Sequence, residues 1–487
     1  MTAFTVDLAD AHDPLVLALD VGSTASRGGL YDARGLPVAG LRHKVRHAFT
    51  TPTDGTSVID PRQVLAEVSE ILQVVARPEL AGRIAGVALD TFASSLVGVD
   101  VAGEPLTPCF TYADSRCAPQ VAELRAELDE VEVQQRTGCR LHTSYLPARL
   151  RWLRATQPDV VARVARWLSL GEFLTLHLTG VTGVGTSTAA WTGLLDRLGG
   201  HWDPQMLAVA GIAPDTLSQV HHPDQPLPGA ASLLPALDGA AWFAVVADGY
   251  AATVGTGGRT GESLVASFAT SGAVRAQVPA AVPRTPPGLW AYRVDGTTAL
   301  LGGALNDVGR AASWLTDTLR LDGGLDELLV PDPEPGTPLV LPFLSGERST
   351  GWAAGARAVL ADVSAASTPQ ALARGVLEGV ALTYGRVVAQ LREVAEPREV
   401  LASGRASQSL PHLLQLLADV TGLPVTPVTI KRSTLHGTAL LALDTLAPGV
   451  GRAAPTTGPT LDPVAGRADY YAERAAAFER LYAAVVA

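Results

Sequence analysis

The sequence predicts an α/β protein of two domains, with the second repeating the plan of the first. Three observations carry this. The 487 residues are too many for one hydrophobic core. The first hundred residues read strand, strand, strand, helix, strand. Near residue 263 the opening theme returns: an apolar strand, a small-residue turn, and a second strand leading to an arginine.

Taken in order, residues 1–14 form a polar lead-in. Apolar runs at 15–20 and 26–31 predict a strand hairpin, and Arg34-Gly35 turns into a third strand at 36–41. A helix is expected over 60–76, where Asp60 can cap, Pro61 opens the first turn, and Val64, Val68, Ile71, Leu72 and Val75 recur at helical spacing. "IAGVALD" (84–90) reads as a buried strand, and 118–180 is mostly helical. A Pro/Asp/Gly-rich section at 203–239 precedes a boundary near 240, giving domains 15–240 and 241–487. "GTGGRTG" (255–261) reads as a flexible turn.

In the second half, "SLVASFATSGAVRAQV" (263–278) carries the turn Thr270-Ser271-Gly272 and leads to Arg275. The clearest helix spans 368–394, with Gly375 and Gly379 permitting another element to approach closely. Residues 398–422 read strand, glycine turn, helix, a join that points backbone N–H groups at an anion or nucleotide. An amphipathic helix over 469–486 is expected to pack on a domain surface.

Composition narrows the classes of function. Hydrophobic residues make up 47% and charged residues 17%, as in globular proteins with ample core. A net charge of -11 disfavours nucleic acid as partner. It leaves room for a small anion, which needs only local donors. Positive charge is almost all arginine, the lysines being Lys44 and Lys431. Cys109, Cys117 and Cys139 form no CxxC and no zinc spacing, so reduced thiols and a cytoplasmic location are expected. Asp7, Asp10 and Asp13 do not suit the start of a signal peptide, and no apolar run is long enough to predict a membrane span.

Why does the first hairpin, "LVLALDVGSTASRGGLYDARG" (15–35), gather Asp20, Gly22, Ser23, Thr24 and Arg27? Phosphoryl transfer needs a cradle of N–H and hydroxyl donors for the polyphosphate, a carboxylate for a hydrated metal, and a base for the attacking hydroxyl. The turn at 22–24 supplies the cradle and Asp20 the carboxylate. The turn at 270–272 is placed opposite, on the second domain. No GxxxxGK[ST] occurs, which excludes a P-loop NTPase.

At this point the residues resemble a family. "LALDVGSTASRGGLYDARG" resembles the phosphate hairpin of the FGGY carbohydrate kinases, within the actin/hexokinase/Hsp70 ATPase superfamily. "GEPLTPCFTYADSR" (103–116), "RTGCRLHTSYLPARLRWL" (136–153), "VVADGYAATVG" (245–255), "ATSGAVR" (269–275), "LPFLSGERSTGWAAGARAVL" (341–360) and "LASGRASQSLPHLLQLLADVTGLPV" (401–425) are similar to further family segments in the same order. The resemblance implies two RNase H-like (actin-like ATPase) domains with a cleft between them. It implies ATP and Mg2+, with Asp248 as catalytic base and, beside Asp20, as metal site.

The resemblance also implies where the two substrates lie. Ser94, Tyr112, Asp114, Arg116, His142, Asp248 and Gly249 are expected at the sugar. Tyr112, Asp114 and Arg116 would share one face if they lay on a strand, offering an aromatic platform, an acid, and a base for a sugar carboxylate. ATP is expected at Gly22, Ser23, Thr24, Arg27, Thr270, Ser271, Gly272, Asn306, Ser403, Gly404, Arg405 and Ser407. Glu347 and Arg348 are expected to form an internal ion pair.

"YADSR", "ADG" and "SGERS" are most similar to gluconate kinases, so the expected acceptor is a sugar acid, gluconate first. A xylulokinase or another ketose or polyol kinase is the alternative. Ala93 and Ser94 stand where gluconate-kinase-like members have Trp-His, Tyr112 replaces a Trp, and Arg405 interrupts a Gly-Gly-Gly. These departures motivate a second class, a catalytically impaired member that binds sugar or nucleotide. A chaperone- or actin-like ATPase is a third class, for which the sequence has no spare segment. A homodimer is compatible with the sequence, which leaves the oligomeric state open.

Overall fold

The structure, a computed structural model, describes residues 4–232 and 234–486. Its frame is two sheets of one topology. In the first, β1 (Leu15–Val21) pairs antiparallel with β2 (Ala25–Tyr31), which pairs antiparallel with β3 (Pro37–Arg46). On its other side β1 runs parallel to β4 (Ile84–Thr91). The short β5 (Val246–Ala247) closes that edge parallel to β4, with Ala241–Trp242 just before it on the same neighbour. This sheet therefore draws its last strands from beyond residue 240.

The second sheet repeats the order. β6 (Ser263–Phe268) and β7 (Gly272–Pro279) form the hairpin, and β8 (Thr298–Leu305) extends it antiparallel. β9 (Glu399–Ser403) lies parallel to β6, and β10 (Val425–Pro427) parallel to β9. One strand more, Trp290–Arg293, folds back on β8. The weak sequence echo is thus a structural duplication, with the hairpin turns 22–24 and 270–272 at equivalent places.

The helices follow their predicted signals. α1 (Pro61–Val75) is capped by the Asp60 carboxylate and buries Val64, Val68, Ile71, Leu72 and Val75 against the first sheet. α2 (Asp248–Thr256) begins directly after β5. α3 (Pro369–Leu391), capped by Thr368, is the spine of the second core, with Gly375 and Gly379 over the backbone of Pro338–Val340. α4 (Ser433–Leu446) follows β10 but packs against β1, β2, β4 and α2 of the first half. α5 (Ala468–Val485) buries Tyr471, Phe478 and Tyr482 on the second domain.

Residues 255–261 correct an expectation. Gly255 does not sit in a turn but inside α2, where it crosses α4 at Gly437. A Cβ on Gly255 would stand 1.9 Å from the Ser433 carbonyl oxygen, and one on Gly437 1.8 Å from that of Ala251. Only paired glycines let the two helices touch backbone to backbone. This crossing sits in a third core of Val16, Ala18, Tyr31, Ala88, Val254 and Ala439, which joins the two halves beneath the cleft.

Candidate active site

The site is built where the first sheet ends. Register places four charged residues side by side across it: Lys44 on β3, Arg27 on β2, Asp20 on β1 and Asp90 on β4. Residues directly opposite in a sheet share a face, so the row runs from two cations to two acids. Arg27 is 3.0 Å from Asp20. The turn between the strands is braced from behind. His47 bonds the Gly22 carbonyl oxygen at 2.8 Å and Glu67 at 2.8 Å, and Ser26 donates to Glu67 at 2.7 Å. The amides of Ser23 and Thr24 meet no protein acceptor among the described residues, which leaves them as donors for a ligand.

Asp90 is a member that sequence reasoning missed. The strand 84–90 was legible, but an acid ending a strand carries no signal until its neighbour is known. Asp90 is fully buried, and Thr438 of α4 donates to its Oδ2 at 2.6 Å. Its Oδ1 has no hydrogen-bond partner among the described residues. Burial raises its pKa well above the usual carboxylate range, and the charge of Asp20 raises it further. Burial likewise raises Asp20, with Arg27 opposing.

Asp248 opens α2 at the floor of the cleft. Its carboxylate accepts the amide of Gly249 at 2.8 Å. Burial lifts its pKa to about 6, with the Arg275 guanidinium opposing and the Asp20 charge adding to the rise. Asp20 and Asp90 therefore crowd negative charge that a divalent cation would relieve. Among the described residues no three His, Cys, Asp or Glu side chains form a ready metal cage. Mg2+ keeps most of its water and needs only one or two carboxylates. The orphaned Asp90 Oδ1 beside Asp20 fits that demand.

On the sugar side, the structure brings some expected residues together and diverts others. Burial raises the pKa of Tyr112, which lies within the field of Asp248 and Arg348. His142 is held by Ser144, packs edge-on to Trp352 at 5.5 Å, and is kept neutral by burial, which lowers its pKa to about 3. The Ser94 hydroxyl donates to the Trp191 carbonyl oxygen at 2.6 Å, in a left-handed backbone conformation (φ 57°). Gly249 lies beside Trp191 and Arg275.

Tyr112, Asp114 and Arg116 do not share a strand face, because the strand ends at Phe110. Local side-chain bonds replace it with a turn: Thr111 Oγ1 accepts from Ala113, and Asp114 accepts from Ser57. Arg116 closes on Asp114 at 2.7 Å and stacks 4.5 Å over Trp152.

The expected Glu347–Arg348 pair does not form. Glu347 pairs with Arg386 at 2.7 Å and accepts from Tyr482. Arg348 is freed toward the cleft, where its charge bears on Tyr112, His142 and Arg275. The Nε atoms of Arg275 and Arg348 are both buried with no hydrogen-bond partner among the described residues. Neither arginine forms an ion pair there.

On the nucleotide side, Thr270 and Ser271 are exposed at the tip of the second hairpin, and Gly272 is buried behind them. The Thr270 carbonyl oxygen accepts from Val308 and Arg310, which fixes the tip. Ser403 ends β9 beside β6, and Gly404 takes a φ of 107°. A Cβ there would stand 2.3 Å from the Phe268 carbonyl oxygen. Ser407 donates to the Gly404 carbonyl oxygen at 2.7 Å, and Arg405 is exposed. The Asn306 amide donates to the carbonyl oxygens of Ser345 and Gly346.

Two family models match the chain: the FGGY family of carbohydrate kinases, N-terminal domain, over residues 15–227, and the C-terminal domain over 264–445. A gluconokinase of Bacillus subtilis is 22% identical over 448 residues, covering 88% of this chain and 87% of that one. A glycerol kinase of Gloeobacter violaceus is 28% identical over 451 residues, with 88% and 87% covered. Among solved structures, a gluconate kinase from Lactobacillus acidophilus superposes with a TM-score of 0.89 at 23% identity, covering 97% of this chain and 98% of that one. A xylulose kinase from the same organism gives 0.89 at 24%, covering 96% and 98%. These superpositions show the fold. The chain belongs to the FGGY family of carbohydrate kinases, phosphotransferases with an alcohol group as acceptor.

Proposed function

We propose that the chain transfers the γ-phosphate of ATP to a hydroxyl of a sugar acid, with gluconate the first candidate. One observation carries the choice of acceptor. Arg275 and Arg348 converge on the surroundings of Asp248, each with a buried Nε that has no partner among the described residues. Leaving a buried charged donor unmatched costs free energy, which a ligand carboxylate recovers with two charge-assisted hydrogen bonds. A neutral ketose such as xylulose would leave both Nε donors without a charged partner.

Asp248 is the base. Its raised pKa keeps it a stronger proton acceptor than an exposed carboxylate while leaving it ionised at neutral pH. It takes the proton of the attacking hydroxyl as that oxygen bonds to phosphorus. The 22–24 turn and the 270–272 turn hold the phosphates from opposite domains, so the cleft must close for both to engage. Asp20 and Asp90 would hold hydrated Mg2+, which when bound with ATP neutralises charge on the transferring phosphate. Closure excludes water, the competing nucleophile.

The test is ADP release with Mg-ATP and separate acceptors, in the enzyme and in Arg348→Met. The enzyme should be stimulated most by a sugar acid. Arg348→Met should raise KM for that acid by roughly tenfold or more, the worth of a charge-assisted hydrogen bond, and leave weak neutral acceptors unchanged. Equal losses on acid and neutral acceptors would refute the role of Arg348.

A further inference from the structure

We propose that a groove beside the catalytic cleft is a second anion site, which takes a small phosphorylated molecule. The row that ends in Asp20 and Asp90 begins with cations, and those cations continue outward. Strand alternation places Arg42, Lys44 and Arg46 on the face of β3 that lies opposite Gly29, Arg27 and Ala25. Across from them, the segment before α4 brings Lys431 and Arg432.

Two connected cavities lie between, sharing Arg42, Arg432 and Leu435. One of about 470 Å³ reaches from Phe4 to Lys431, and one of about 180 Å³ is lined by Arg27, Arg42, Lys44 and Arg432. The larger volume suits a small molecule rather than a macromolecular face.

Arg42, Lys44, Arg46, Lys431 and Arg432 make no ion pair or side-chain hydrogen bond among the described residues. The nearby acids are already engaged, Asp20 by Arg27 and Glu70 by His43. Such crowding is unexpected in a chain of net charge -11, whose two lysines both come to this groove. The cluster is also built rather than incidental. Arg432 holds a left-handed backbone (φ 66°) at the N-cap of α4, a costly conformation for an arginine. The cap makes no side-chain bond to the first turn, so the free amides of α4 add their partial positive charge at Leu435. Mutual repulsion is visible at Lys44, whose pKa is lowered chiefly by the Arg27 charge.

Phosphoryl groups match this chemistry best, because guanidinium forks and helix amides are their common ligands. The walls belong to different parts of the molecule: β2 and β3 on one side, the lead into α4 on the other. The site is independent of which sugar the enzyme phosphorylates.

The experiment is calorimetric titration of inorganic phosphate, pyrophosphate and glucose 6-phosphate into the full chain, the Arg42→Gln/Arg432→Gln variant and Lys431→Gln. The affinity for a fluorescent ADP analogue is measured in parallel. At least one probe should bind the enzyme, and both variants should weaken it tenfold or more while ADP affinity stays within twofold. A sugar phosphate that binds most tightly identifies a monoester site, and pyrophosphate a polyphosphate site. Absence of binding by all three probes overturns the proposal, as does binding that both variants leave intact. A parallel fall in ADP affinity also overturns it, since the groove would then be an arm of the nucleotide site. Should the double variant fail to fold, Lys431→Gln decides alone, since its side chain is exposed.

Discussion

Asp248 must carry a charge in a place that resists one. Burial lifts its pKa to about 6, so the fraction able to accept a proton falls as pH drops through that value. The expected kcat/KM profile loses about tenfold per pH unit below about 6, measured with a saturating nucleotide. Asp248→Asn should reduce kcat by roughly 10²–10⁴-fold, the usual worth of a general base, with ADP affinity within a few-fold by calorimetry. The same shift has a stability consequence. Because the folded pKa is raised from its ordinary 3.8, ionising Asp248 costs stability as pH rises through that window to about 6. Asp248→Asn should therefore melt above the parent protein at pH 8, with the gap closing near pH 4.

Asp90 gives a separate test at the same scale. Asp90→Asn should weaken Mn2+ binding in the presence of ADP, read from the metal's magnetic resonance signal, by roughly tenfold. Unchanged Mn2+ affinity would remove Asp90 from the metal site. Residues such as these show where the sequence is readable. Asp20, Tyr112 and Asp248 sit in local patterns that announce a turn or an acid before a helix. Asp90 and Arg348 acquire meaning only through partners far along the chain. Arg348 follows Glu347 directly, yet Glu347 turns to Arg386 and leaves the arginine to the cleft.

At the scale of elements, hydrophobic period and caps made β1, β2, α1 and α3 legible, because those signals are local. The strand expected under Tyr112, Asp114 and Arg116 failed because Thr111 and Asp114 satisfy nearby amides in a turn. The role of α4 was not legible at all. Its sequence marks a helix, but nothing local says that it crosses to the first sheet and donates to Asp90 through Thr438. The crossing at Gly255 and Gly437 makes a firm prediction. Gly437→Val forces a side chain into the backbone of α2, so it should destabilise the protein by about 1–3 kcal/mol in denaturant titration. It should also raise the nucleotide KM, since α4 carries the Asp90 contact.

Taken as a whole, the molecule is two copies of one α/β plan that present matching hairpins to a shared cleft. The duplication was legible as an echo in sequence, and with it a cleft between the copies; the packing of α2 on α4 beneath that cleft was not, because it joins glycines far apart in the chain. No helix among the described residues is long and apolar enough to cross a membrane. A cleft whose proposed phosphate donors are divided between two domains should close on its substrates. Small-angle scattering should show a smaller radius of gyration with a sugar acid and a non-hydrolysable ATP analogue together than with either alone.

The measurement that bears most directly on the whole is ADP release with Mg-ATP against gluconate, xylulose, ribulose, glycerol and no acceptor. A sugar acid should give the highest kcat/KM, with little turnover when acceptor is omitted. A neutral ketose or glycerol outrunning every sugar acid would contradict the assignment of Arg275 and Arg348 to a carboxylate. ATP turnover indifferent to all acceptors would contradict Asp248 as the base for a sugar hydroxyl.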